Sequence, residues 1–108
     1  MREPDISAVQ AASLVAENST VLVDVRTAEE WREGHAPCAV HIPLDELTEL
    51  SVPRSCRVLT ICRSGRRSAI AADRVAPTHR VCNVTGGMMS WTDHGLPIAT
   101  GRQGNTAT

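Results

Sequence analysis

Residues 57–68 leave little freedom to the fold around them. Arg57-Val58-Leu59-Thr60-Ile61 is a short β-branched run that reads as a buried strand, and it stops at Cys62. Ser68-Ala69-Ile70-Ala71-Ala72-Asp73-Arg74-Val75 has good helix composition with apolar residues at helical spacing. Between the two lies the loop Cys62-Arg63-Ser64-Gly65-Arg66-Arg67-Ser68. A strand, a tight loop and a helix in that order aim backbone N–H groups and the helix's positive end at one point. A cysteine there has its thiolate stabilised by those dipoles and by Arg63, Arg66 and Arg67. Its pKa is expected below the roughly 8.5 of a free thiol, which makes it a nucleophile near neutral pH. Gly65 lets the backbone turn so that consecutive N–H groups face inward as an anion nest. For a lone cysteine, an inert buried thiol beside solvated arginines is the simpler reading. A glycine and three arginines in the same loop favour the reactive one.

The rest of the chain supplies an alternation of strands and helices. After a short apolar start at Ile6, Ser7 is an N-cap for a helix over Ala8 to Ala16, ended by Asn18-Ser19. Thr20-Val21-Leu22-Val23-Asp24-Val25 is a nearly continuous apolar strand, as expected where both faces are buried. Asp24 and Arg26 fall at its C-terminal end, where α/β sheets place their sites, and are expected to brace the loops around the pocket. Thr27 and Glu30 form a capping box for a short helix that reaches about Glu33 and closes at Gly34. A third strand is expected at Ala39-Val40-His41-Ile42, then a helix over Pro43 to Leu50. Pro77 stops the central helix, Arg80 to Val84 gives a fifth strand, and Gly86-Gly87 opens a last helix that ends at Gly95. Five short strands alternating with helices predict a three-layer α/β domain with a five-stranded parallel sheet flanked by helices, over residues 5–98. Residues 99–108 are small and polar and read as a disordered C-terminal tail.

Composition removes several function classes. The formal net charge of −1 gives no argument for nucleic acid or for an acidic membrane surface as partner. No run approaches the roughly 20 apolar residues needed to cross a bilayer, so a soluble cytoplasmic protein is the expectation. With no Phe or Tyr, and only Trp31 and Trp91, the core must be aliphatic. Cys38, Cys56, Cys62 and Cys82 contain no C-x-x-C pair, which argues against a structural zinc site, and Cys56 and Cys82 read as small buried hydrophobes. His79 and His94 read as surface turn residues. Met88 and Met89 read as core filling.

These landmarks in their order resemble a single-domain rhodanese, a thiosulfate sulfurtransferase-like domain. The matching pieces are Leu22-Val23-Asp24-Val25-Arg26 with Glu30-Trp31, Gly34-His35-Ala36-Pro37, and Ile42-Pro43-Leu44-Asp45-Glu46-Leu47. The Cys62 loop and Gly86-Gly87-Met88-Met89-Ser90-Trp91 with Gly95-Leu96-Pro97 complete the pattern. The resemblance implies that Cys62 attacks the outer sulfur of a donor such as thiosulfate and holds it as a persulfide. On the same resemblance, cyanide or a cellular thiol, a sulfur-carrier protein among the candidates, then removes the sulfur. It also implies that backbone N–H groups from Arg63, Ser64, Gly65, Arg66, Arg67 and Ser68 cradle the persulfide. Arg67 would fix the loop or the anionic donor, and Arg63 would steer that donor at the rim. No cofactor or metal is implied, and a monomer or weak dimer is expected.

One position departs from the family pattern: Cys38 stands where glycine commonly follows Gly-His-x-Pro. It is expected to be an accommodated substitution, with a second redox thiol as the alternative. Two other function classes compete. Rhodanese-like domains also serve as non-catalytic carrier or regulatory binding modules, but silent versions usually lack the cysteine. Cysteine-dependent phosphatases and a related arsenate reductase place five residues between cysteine and arginine, whereas four separate Cys62 from Arg67. The shorter loop makes a smaller ring of N–H groups, better suited to a sulfane sulfur than to a tetrahedral phosphate.

Overall fold

In the computed structural model of the chain, residues 1–17, 19–48, 50, 52–101 and 105–106 are described. Its order is α1 (Ala8–Val15), β1 (Thr20–Asp24), α2 (Ala28–Glu33), β2 (Val40–His41), a 3-10 turn (Leu44–Glu46), β3 (Arg57–Ile61), α3 (Arg66–Val75), β4 (Arg80–Asn83), α4 (Gly87–Asp93) and β5 (Asn105–Thr106). The strands form one sheet in the order β4-β3-β1-β2-β5, with every pair parallel. Parallel strands need crossovers, and the helices supply them on both faces.

Alternation along the strands builds two cores. Leu22, Leu59, Ile61 and Cys82 point to one face, where they meet Ala8 and Ala11 of α1, Trp31 of α2, and Met88 and Trp91 of α4. Val23, Val58 and Val81 point to the other and pack with Ala71, Ala72 and Val75 of α3 and with Leu47. Both faces being apolar explains why β1 and β3 read as nearly unbroken apolar runs. The three layers and the parallel sheet thus arise from the pattern seen in the sequence.

The capping motifs form as written. Ser7 Oγ accepts from Gln10 N at 3.1 Å, and Thr27 Oγ1 accepts from Glu30 N at 3.2 Å. Several expectations need correction. The apolar start at Ile6, counted ahead of the strand expected over residues 20–25, forms an isolated parallel bridge to Val84, and Asn105–Thr106 supplies the sheet's fifth strand. The helix expected over Pro43 to Leu50 is a single 3-10 turn, because Leu47 leaves helical geometry (φ −83°, ψ 80°) to bury its side chain against α3. Asn18 and Glu49, assigned to helix ends, lie outside the described residues. Helix α3 begins at Arg66, two residues before the expected Ser68, so Arg66 and Arg67 sit in its first turn. His79 is buried, with Nε2 2.7 Å from the carbonyl of Val52, whereas His94 is exposed as expected. Cys82 is buried as expected, and Cys56 is only half-buried. The segment read as a tail begins in pairing: Ala99 and His35 exchange backbone hydrogen bonds, and Asn105–Thr106 lie parallel beside β2. Residues 102–104 and 107–108 of that tail lie outside the described residues.

Candidate active site

Cys62 follows the last residue of β3, between the ends of β1 and β4. Gly65 takes the left-handed conformation (φ 107°), which reverses the chain into α3. Its N–H then points back to Cys62 Sγ at 3.0 Å. One turn on, Ser68 Oγ lies 3.2 Å from the same sulfur. The loop is fixed to the sheet by Thr60 Oγ1, which donates to the Ser68 carbonyl at 2.8 Å. On the outer side, the carbonyls of Cys62 and Arg63 accept from Met88 N (2.7 Å) and Met89 N (3.0 Å) at the start of α4. That grip turns the loop's carbonyls outward and leaves its N–H groups facing the sulfur.

The thiol is 1% exposed. Burial alone pushes its pKa up, but the Ser68 hydroxyl and the backbone N–H groups of Ser68, Gly65 and Ser64 outweigh that and bring it below the ordinary thiol value. Hydrogen bonds to the sulfur, more than full charges, therefore hold the thiol's pKa down. Of the three loop arginines, Arg63 and Arg66 are exposed, and only Arg67 turns inward. Its guanidinium is held by both carboxylate oxygens of Glu30, at 2.6 and 2.8 Å. Hydrogen bonding to Arg67 is the main cause that takes the Glu30 carboxyl down to about 2. Asp24 and Arg26 form a buried pair, with Arg26 Nη2 2.8 Å from Asp24 Oδ2 and 2.7 Å from the carbonyl of Gly34. A hollow of about 370 Å³ beside the loop is lined by Arg26, Glu30, Arg63, Met88 and Met89 among others. Among the described residues no group of His, Cys, Asp or Glu is placed to hold a metal ion.

Two participants escape a reading of the sequence alone. Glu30 is legible as the capping residue of α2, yet the same carboxylate anchors Arg67. Asn83, at the end of β4, accepts from Ser68 Oγ at 2.6 Å and donates through Nδ2 to the carbonyl of Gly65 at 3.2 Å. The rule that singled out Asp24, a polar residue at the C-terminal end of a buried strand, also fits Asn83.

A buried, hydrogen-bonded cysteine in a strand–loop–helix turn of a parallel sheet defines a class of small three-layer α/β domains. Within that class the chain belongs to the rhodanese-like domain family, whose model matches residues 7–94. It is 37% identical over 82 residues to a sulfurtransferase of Allochromatium vinosum, covering 72% of this chain and 77% of that protein. Thiosulfate sulfurtransferase 18 of Arabidopsis thaliana is 32% identical over 111 residues, covering 85% of this chain and 81% of its own. YrkF of Bacillus subtilis is 37% identical over 81 residues, or 71% of this chain, which spans only 44% of that longer protein. Among solved structures, a rhodanese-related protein from Thermoplasma volcanium superposes with a TM-score of 0.81 at 27% identity, covering 90% of this chain and 98% of the other. Among the described residues no helix is long and apolar enough to cross a membrane.

Proposed function

We propose that the chain is a sulfurtransferase that carries a sulfane sulfur on Cys62. The observation that carries this reading is the Cys62 sulfur, buried under its own loop with the Gly65 N–H aimed at it and the Ser68 hydroxyl 3.2 Å away. A nucleophile so enclosed suits a reactant no wider than one sulfur atom and disfavours a phosphoester. With thiosulfate as donor, Sγ attacks the outer sulfur and a new S–S bond forms. The old S–S bond breaks and its electron pair leaves on sulfite. Cyanide or a thiolate then attacks the terminal sulfur, the Sγ–S bond breaks, and the pair returns to Sγ as thiolate. Neither step needs an added redox partner. The loop N–H groups stabilise the sulfur anion at each stage. Arg63, exposed at the rim of the hollow, attracts an anionic donor, while Arg67 braces the loop through Glu30. Relatives named sulfurtransferases support transfer chemistry, and four free cysteines suit the reducing cytoplasm.

Incubation with thiosulfate is expected to add the mass of one sulfur atom to the peptide carrying Cys62, and cyanide to remove it. Cys62→Ser abolishes both steps, because a hydroxyl lacks the thiolate's nucleophilicity. Phosphatase activity in a protein that takes up no sulfur would overturn the reading.

A further inference from the structure

One hydroxyl proton in this site has two claimants. Ser68 Oγ lies 2.6 Å from Asn83 Oδ1 and 3.2 Å from Cys62 Sγ. Both residues are buried, Ser68 at 0% and Asn83 at 3% exposure, so no bulk water intervenes to satisfy the loser. An amide oxygen only accepts, so a contact of 2.6 Å requires the Ser68 proton to point at Asn83. Turning the amide over does not relieve this. Nδ2 donates to the carbonyl of Gly65 at 3.2 Å and to Asp5 Oδ2 at 3.3 Å, and an oxygen in its place would face two acceptors. With its proton on Asn83, Ser68 offers Sγ only lone pairs. Those lone pairs welcome an S–H donor and repel a thiolate. Stabilising the thiolate therefore requires the Ser68 proton to leave Asn83.

We infer that Asn83 is a positioning residue that sets the nucleophilicity of Cys62 by competing for the single proton of the Ser68 hydroxyl. The inference rests on Cys62 being the reacting thiol of the function proposed above. In the free thiolate the proton turns to Sγ and Asn83 Oδ1 goes unpaired. In the persulfide the negative charge sits on the terminal sulfur, so the proton returns to Asn83. When the acceptor attacks, the Sγ–S bond breaks, its electron pair comes back to Sγ, and the hydroxyl turns again to meet it. Asn83 thereby disfavours the empty thiolate relative to the loaded loop. The charged groups around this switch are the Arg67–Glu30 pair, the Asp24–Arg26 pair and Asp5. None of them contacts the Ser68 hydroxyl itself in the hydrogen bonds described.

The test is the pH midpoint of Cys62 alkylation by iodoacetamide, resolved by peptide mass spectrometry from the other three cysteines. Asn83→Ala is expected to lower the midpoint by about one pH unit, the scale of one hydrogen bond to a charged group. Ser68→Ala is expected to raise it by a similar amount. In the Ser68→Ala background, Asn83→Ala should leave the midpoint where it is, since no shared proton remains. A residue that merely props the loop through Gly65 would act in the opposite direction, and its effect would persist without Ser68. A raised or unmoved midpoint in Asn83→Ala, or an equal shift in the double variant, overturns the inference. If Asn83→Ala does not fold, Asn83→Leu keeps the branched shape without the oxygen and carries the same expectations. An unmoved midpoint in Ser68→Ala alone also overturns it. Failure of the sulfur-transfer reading is separately visible: the unaltered protein would take up no sulfur from thiosulfate, whatever its midpoint.

Discussion

Glu30 is asked to do two things that belong to different parts of the molecule. Its Oε1 accepts from Thr27 N at 3.1 Å, closing the capping box of α2, while the carboxylate grips Arg67 of α3. Arg67 is thus kept paired by a carboxylate only partly screened from water. Because the Glu30 carboxyl is held down to about 2, from an unperturbed value near 4.5, its contribution to stability has a definite sign with pH. It is complete above about pH 4.5 and is lost as the pH falls through 2. Glu30→Gln preserves the cap and removes the charge. Urea midpoints between pH 6 and pH 2.5 should therefore fall less steeply in Glu30→Gln than in the unaltered protein; equal slopes would show that the pair does not act as described. The same substitution releases Arg67 toward the loop. The KM for thiosulfate is expected to fall, by a few-fold, with little change in kcat.

At the scale of elements, the site depends on the approach of α4 to the Cys62 loop. Gly87 makes that approach possible. A Cβ there would overlap the carbonyl oxygen of Cys62 and lie 2.7 Å from that of Arg63, at a backbone φ of 53° that disfavours any side chain. Gly87→Ala is expected to cost about 2–5 kcal/mol in urea denaturation, from overpacking plus left-handed strain. Sulfur loading at Cys62 should fall even in the fraction that stays folded, because Met88 and Met89 would lose the loop carbonyls. Full loading in folded Gly87→Ala would mean that the grip of α4 does not orient the loop. A glycine pair opening this helix is visible in the sequence, but the reason for Gly87 is a contact with residues more than twenty positions away. The same holds elsewhere. The strand, the cysteine loop and the body of α3 are legible because their signals are local: β-branched residues, then glycine and arginines, then alanines. Glu30 is legible as a cap but not as the partner of Arg67, since pairing across 37 positions leaves no local mark. His79 reads as a polar turn residue because nothing nearby announces that the carbonyl of Val52 will cover it. The 3-10 turn over Leu44–Glu46 was expected as a longer helix because composition does not reveal that Leu47 is drawn into the core.

Across the whole molecule, Cys62 is held by the strand with the most to lose. β3 is flanked by β1 and β4, with Leu59 opposite Leu22 on one side and Cys82 on the other. Leu59 is fully buried, and its face of the sheet is covered by α1 and α4. By contrast, β5 is two residues at the sheet's edge, beside a β2 equally short. The sheet's stability is therefore concentrated at its centre, and two changes at opposite ends of that gradient test the view. Removing residues 102–108 deletes β5 but keeps the Ala99–His35 pairing and the hydrogen bond from Gly101 N to the Arg32 carbonyl. It is expected to cost less than about 1 kcal/mol, the worth of one net hydrogen bond or so. Leu59→Ala removes buried carbon from the middle of the sheet and leaves a cavity that rigid neighbours fill only in part. It is expected to cost about 2–5 kcal/mol. At about 4–8 °C per kcal/mol for a domain of this size, the melting temperature should drop by at least roughly 8 °C. Because Cys62 lies three residues beyond Leu59, just past the end of the same strand, sulfur loading should be lost at lower temperature in step with unfolding, while the truncated protein keeps both. A Leu59→Ala loss below about 1 kcal/mol, or a truncation that costs as much as Leu59→Ala, would place the sheet's stability somewhere other than β3.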